Sequence, residues 1–108
     1  MKWQVETLNH VVDRELESLE PSLKARFLHI SELLETFGPE RVGAPHVKHL
    51  VDKLWEIRMK GKSGIARAIY VTVTGRRIVV VHAFVKKTQK TPKAAIRLAL
   101  ERVKEIQI

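Results

Sequence analysis

The chain has 108 residues, is 44 % hydrophobic and lacks cysteine, which suits one folded domain over 1–108 and excludes disulfides, thiolate metal sites and a cysteine nucleophile. Its net charge of +8 is unevenly shared: residues 1–52 carry six Lys/Arg against nine Asp/Glu, and residues 53–108 carry fourteen against three. Between Ile57 and Leu100 there are eleven basic residues and no acidic one, a distribution that repels itself unless a polyanion offsets it, and for a soluble protein that first means nucleic acid.

Trp3 to Leu8 alternates loosely and is rich in strand formers, so it predicts a short first strand. Asn9 is placed to cap a helix on which Val12, Leu16 and Leu19 recur. Pro21 suits the first turn of a second helix, with Leu23, Phe27, Ile30, Leu34 and Phe37 as its apolar stripe and Gly38-Pro39 as its stop. Gly43 to Lys48 reads as a loop. In Leu54 to Lys60, alternation puts Trp55, Ile57 and Met59 on one face and Glu56, Arg58 and Lys60 on the other. Gly61 to Gly64 is a basic turn, Ile65 to Thr74 a β-branched strand, and Gly75-Arg76 a tight turn into Ile78 to Val85, the most apolar run and the expected central strand. Thr91-Pro92 opens a last helix with Ile96, Ala99, Leu100 and Val103 on one side.

The order β-α-α-β-β-β-α predicts an α+β fold: an antiparallel sheet with helices packed on one face and basic side chains on the other. No apolar run approaches a membrane span, and Met1 is not followed by a signal-peptide core, so a cytoplasmic protein without membrane contact is expected.

Three local motifs carry a resemblance. They are Leu54-Trp55-Glu56-Ile57-Arg58, Arg67-Ala68-Ile69-Tyr70, and the run from His82 to Pro92, in which Phe84-Val85-Lys86-Lys87-Thr88-Gln89-Lys90-Thr91-Pro92 is the most specific. With the element order, they resemble the RelE/ParE toxin superfamily, and within it the HigB-like, phage-derived branch of type II toxin–antitoxin systems. The resemblance implies a small toxin that cleaves mRNA, usually on the ribosome, and is silenced by a helix-turn-helix antitoxin of the HigA-like kind. It implies no cofactor. Composition and spacing alone lead only to a basic α+β nucleic-acid binder. A ParE-like gyrase poison and a non-catalytic RNA-binding module remain the alternative readings.

RNA cleavage by attack of the 2′-hydroxyl on its own phosphate needs in-line geometry, a proton acceptor, neutralisation of the phosphorane and a proton for the leaving oxygen. Arg58 and Arg67 offer planar forks for phosphate oxygens. On residues alone Arg58 serves equally as the ion-pair partner of Glu56, and Arg67 reads as an exposed strand arginine; the resemblance makes both clamps. It also puts a catalytic basic pair at Lys86 and Lys87, which otherwise read as solvated lysines. His82 alternates onto the face of Lys86 and is a candidate general base, its other reading being simple packing. Phe84 on the same face is a candidate base-stacking residue or a packed one. Lys60, Lys62, Lys90 and Lys93 complete an RNA-binding set. Glu56 reads as a base or as the partner of Arg58, the partner role being favoured, Trp55 as core, and Tyr70 as core with its hydroxyl at the surface rather than as a catalytic residue. His10, His29, His46 and His49 read as scattered surface or loop residues. No spacing of His, Asp and Glu resembles a metal site. Two features depart from the RelE-type pattern: Glu56 stands where a lysine is common, and Lys93 to Ile108 holds neither Tyr nor His.

Overall fold

The structure is a computed structural model that describes residues 2–62, 64–87 and 90–106. In chain order its elements are β1 (Gln4–Thr7), α1 (His10–Glu17), α2 (Pro21–Phe37), α3 (Pro39–Val42), β2 (Val47–Val51), β3 (Leu54–Lys60), β4 (Ile65–Val73), β5 (Arg77–Lys86) and α4 (Lys93–Val103). The α+β class stands, but the strand expected at the centre, β5, lies second from the edge, and β4 is central. The strands form one sheet in the order β1-β5-β4-β3-β2.

Three further details depart from the sequence reading. First, β1 pairs parallel to β5, so the sheet is mixed. The α1–α2 hairpin carries the chain away from β1 and the antiparallel meander then returns it, so the last strand runs alongside the first. Second, the segment read as a loop contains the start of β2, which pairs antiparallel with β3 from Val47 opposite Ile57 to Val51 opposite Leu54. Third, the helices cover both faces. Val12, Leu23, Ile30 and Leu34 of α1 and α2 pack against Ile57, Met59, Ala68, Tyr70, Ile78 and Val80. Ala95 and Ala99 of α4 pack on the other side against Leu54, Ile69, Val71, Val79 and Val81. A β5 without polar alternation, buried at Ile78, Val79, Val80 and Val81, needs cover on both faces.

A bulge at Val81 sets which side chains of β5 share a face. His82 pairs with Ile69 while Val80 pairs with Tyr70, so Val81 is the extra residue. Val79 and Val81 therefore meet α4, and Phe84 packs on the same side, whereas Val80 and Ala83 join the α1–α2 core.

Local signals explain the ends. Asn9 caps α1 as expected, its side chain accepting from Val11 N at 3.0 Å and Val12 N at 3.2 Å. Gly38 ends α2 at φ +84°, and a Cβ there would lie 2.9 Å from Trp3 Nε1, so only glycine fits. In the β4–β5 turn, Gly75 (φ +91°) and Arg76 (φ +57°) both adopt the positive φ that tight hairpins favour.

The outer edge of β1 is closed by α2: Trp3 N donates to Glu35 O at 3.0 Å and Val5 N to Glu35 Oε2 at 2.9 Å. Beyond Thr7, β1 no longer covers β5. There the Glu15 carboxylate accepts the Ala83 N–H at 3.0 Å, and Arg102 Nη1 donates to Val81 O at 2.8 Å. Arg102 Nη2 also lies 2.9 Å from Glu15 Oε2, so α1 and α4 are stapled together across the exposed strand edge.

Candidate nucleic-acid interface

The site begins with register. Arg58 of β3 pairs with Arg67 of β4, and Arg67 pairs with Phe84 of β5. Paired residues share a face, so Arg58, Arg67 and Phe84 form a row across three strands. Glu56 and His82 occupy the next row, both opposite Ile69, and Lys86 lies opposite Ile65 on the other side. The alternation of β3 and the bulge in β5 together gather these side chains on the face that α4 only partly covers.

At the centre is Glu56, which is 3 % exposed. Its Oε2 lies 3.4 Å from Arg67 Nε and 3.9 Å from Arg58 Nε. Its Oε1 accepts the Thr91 hydroxyl at 2.5 Å. An ionised buried carboxylate requires such compensation. Glu56 was expected to pair with Arg58; the nearer guanidinium is that of Arg67. Thr91 does not cap α4, whose capping position is Pro92 with no side-chain bond. It ties the start of that helix to the carboxylate instead.

Arg67 was expected to be an exposed arginine or a clamp, and it is 5 % exposed. Its Nη1 donates to Ala66 O at 3.0 Å, and its Nε makes no hydrogen bond despite the nearby carboxylate. Burial lowers the Arg67 pKa, and Glu56 partly offsets the shift. Lys86 is 7 % exposed, and its pKa is also lowered. Desolvation is the leading cause, followed by repulsion from Arg67, while Arg58 and Lys48 add to it and Glu56 opposes it. Four cations thus act around one carboxylate, a charge excess that an incoming phosphate would relieve.

The other expected residues divide into two groups. His82 is half-buried, stacks on Phe84 at 4.9 Å between ring centroids, and holds Nδ1 3.0 Å from Glu15 Oε1. This bond fixes the ring and leaves Nε2 to act. Lys60, Lys62, Lys87, Lys90 and Lys93 are exposed, at the end of β3, in the β3–β4 turn, between β5 and α4, and at the first residue of α4. The backbone N–H of Lys62 donates to Ser22 Oγ at 3.3 Å, which docks the turn on α2. Thr88 and Gln89 of the expected motif lie outside the described residues, as do Gln107 and Ile108.

Two aromatic readings change. Trp55 is 37 % exposed and lies against His49, with ring centroids 4.9 Å apart, rather than in the core. Tyr70 is fully buried, its hydroxyl has no partner, and burial raises its pKa, so it does not reach the surface.

A cleft of about 500 Å³ opens beside this cluster. Arg58 and Arg67 line it together with Lys60, Arg26 of α2 and His46, which immediately precedes β2. Sequence reasoning read His46 as a surface or loop residue and did not single out Arg26. They come from segments distant from the basic stretch, and no spacing signals that α2 and the β2 entry converge on Arg58. Among the described residues no group of three or more His, Asp or Glu side chains could hold a metal ion, and no helix is long and apolar enough to cross a membrane.

A small mixed-sheet α+β protein with a recessed arginine–lysine cluster beside an open cleft is the class that this fold and site define. The chain belongs to the family of phage-derived proteins described as Gp49-like (DUF891), whose model matches residues 14–104. Its fold is similar to that of a chain in the crystal structure of an archaeal RelE–RelB complex from Pyrococcus horikoshii OT3. That match has a TM-score of 0.57 and 23 % sequence identity, and covers 79 % of this chain and 96 % of the other. No curated protein matches the sequence.

Proposed function

We propose that this protein is the toxin of a toxin–antitoxin pair and acts in the cytoplasm as an endoribonuclease on ribosome-bound mRNA. The observation that carries the reading is the convergence of Arg58, Arg67 and Lys86 around one buried carboxylate beside a cleft. The RelE-like fold and the phage-derived family support it. The structural relative is in complex with RelB, which supports a protein partner that neutralises this chain; a helix-turn-helix antitoxin of the HigA-like kind is proposed here.

In this mechanism the guanidinium forks of Arg58 and Arg67 hold the non-bridging oxygens of the scissile phosphate and take up the charge of the phosphorane. Lys86, whose pKa is lowered by desolvation and by repulsion from Arg67, protonates the departing 5′ oxygen. Lys87 adds positive charge at the strand end. Phe84, backed by His82, stacks a neighbouring base, and Lys60, Lys62, Lys90 and Lys93 follow the backbone on either side.

Toeprinting of mRNA on programmed ribosomes tests the reading. The purified protein should produce new 5′ ends within the ribosome-covered codons, and its expression should arrest growth until a co-expressed helix-turn-helix partner restores it. Intact mRNA together with inhibited gyrase supercoiling would replace the ribonuclease by a gyrase poison on the same fold.

A further inference from the structure

We propose that His46 is the proton acceptor of the cleft, taking the proton from the attacking 2′-hydroxyl, and that Arg26 binds an adjacent phosphate of the same RNA strand. The inference rests on the ribonuclease reading and identifies the one chemical role that the Arg58–Arg67–Lys86 cluster does not fill.

Position is the first argument. The Arg58 N–H donates to the His46 carbonyl at 2.8 Å, so the two residues are neighbours across the β2–β3 seam. Both line the cleft that Arg67 also lines. A phosphate held by the two arginines would share that cleft with His46. The second argument is anchoring. The backbone of His46 is fixed by its own N–H bond to Gly43 O at 3.2 Å, and its ring meets His29 of α2 edge-on at 6.5 Å between centroids. Chemistry is the third argument. The charged groups that line the cleft with His46 are Arg26 from α2, Arg58 and Lys60 from β3, and Arg67 from β4, and His29 of α2 meets its ring. Arginine and protonated lysine only donate, and the Glu56 carboxylate, 3 % exposed and held by Arg67, Arg58 and Thr91, is not part of the cleft lining, so imidazole is the acceptor that the cleft offers. His82 sits differently, with Nδ1 engaged by Glu15 and its ring stacked on Phe84.

The step balances without a co-reactant. His46 takes the 2′-hydroxyl proton as the O2′–P bond forms, the P–O5′ bond breaks, and O5′ receives a proton from Lys86. The products are a 2′,3′-cyclic phosphate and a 5′-hydroxyl, and water returns Lys86 and His46 to their starting states.

The test is the pH dependence of single-turnover cleavage of ribosome-bound mRNA by the wild type, His46→Gln, His82→Gln and His10→Gln, with thermal melts to establish folding. The expected result is that His46→Gln loses about 10²-fold or more in rate and its acid limb disappears. His82→Gln should keep the limb at a reduced rate, and His10→Gln, altered at an exposed position, should match the wild type. Arg26→Ala should raise KM several-fold with kcat unchanged. If His46→Gln retains the acid limb, at any rate, the inference is overturned while the ribonuclease reading stands. If His46→Gln does not fold, added imidazole with His46→Gly and the shift of the His46 ring resonance on binding 2′-deoxy-substituted RNA replace it, and failure of both overturns the proposal. A wild-type protein that neither cleaves nor binds RNA ends both readings.

Discussion

Replacing Arg67 by lysine should lower the rate of mRNA cleavage by about 10²-fold or more while the protein stays folded. The lysine keeps a positive charge near Glu56, so the carboxylate retains a counter-ion. What disappears is the fork. Arg67 has one arm bonded to Ala66 O at 3.0 Å and lines the cleft with Arg58, a preset geometry that a flexible ammonium cannot reproduce. Arg67→Ala would mislead, because it strands a carboxylate that is 3 % exposed, and breaking a buried pair costs about 3–5 kcal/mol. A Glu56→Gln/Arg67→Met variant provides the complementary control, since it removes both charges and should recover much of the stability without recovering cleavage. The measurements are single-turnover cleavage on programmed ribosomes and urea unfolding. A lysine variant within threefold of the wild-type rate would reduce Arg67 to a structural partner of Glu56.

The elements whose side chains alternate or recur at helical spacing were legible in the sequence, and the places where tertiary context decides were not. Ile57 and Met59 follow the two-residue period and are fully buried. Trp55 has the same parity, yet it sits where the strand begins beside edge strand β2 and stays 37 % exposed. β2 itself was hidden because Val47–Val51 includes Lys48 and His49, and an edge strand with two polar side chains resembles a loop in composition. The α4 side of the sheet was misread because a continuous apolar run such as Ile78–Val81 does not say whether one or both faces need cover. At the site, strand parity grouped Glu56, Arg58 and Lys60 on one face of β3 and His82, Phe84 and Lys86 on one face of β5, whereas the register that aligns them with Arg67 belongs to the folded sheet. The depth of Arg67 and Lys86, the Thr91 tie to Glu56 and the arrival of Arg26 and His46 at the cleft depend on long-range packing that spacing does not encode. Four scattered histidines gave no reason to prefer His46.

Glu15→Gln should destabilise the protein by about 2 kcal/mol at neutral pH, and the difference should vanish in acid. Glu15 is bound on three sides: Arg102 from α4, the Ala83 N–H on the bare edge of β5, and His82 Nδ1. Burial pushes its pKa up, but hydrogen bonds from Arg102, Ala83 and His82 outweigh burial and leave it below the ordinary carboxylate value. A carboxyl with a lowered folded-state pKa stabilises the native state above its unfolded value of about 4.3, and that stabilisation is lost as pH falls through the lower native value. Glutamine can still accept from Ala83 and Arg102 Nη1 through its one oxygen, but its amide nitrogen meets Arg102 Nη2, so the substitution removes the charge together with one acceptor. For a chain of this size, about 2 kcal/mol corresponds to a fall of about 10 °C in Tm. Arg102→Met should cost a similar amount, since it also strips Val81 O of its donor, and the double variant should cost less than the two single losses added, because each residue is the other's partner. Urea titrations at about pH 7 and about pH 3 check the account, because only a charge effect titrates away. If Glu15→Gln remains equally destabilised at the lower pH, shape or side-chain hydrogen bonding holds the edge of β5, and the ion pair across it contributes nothing.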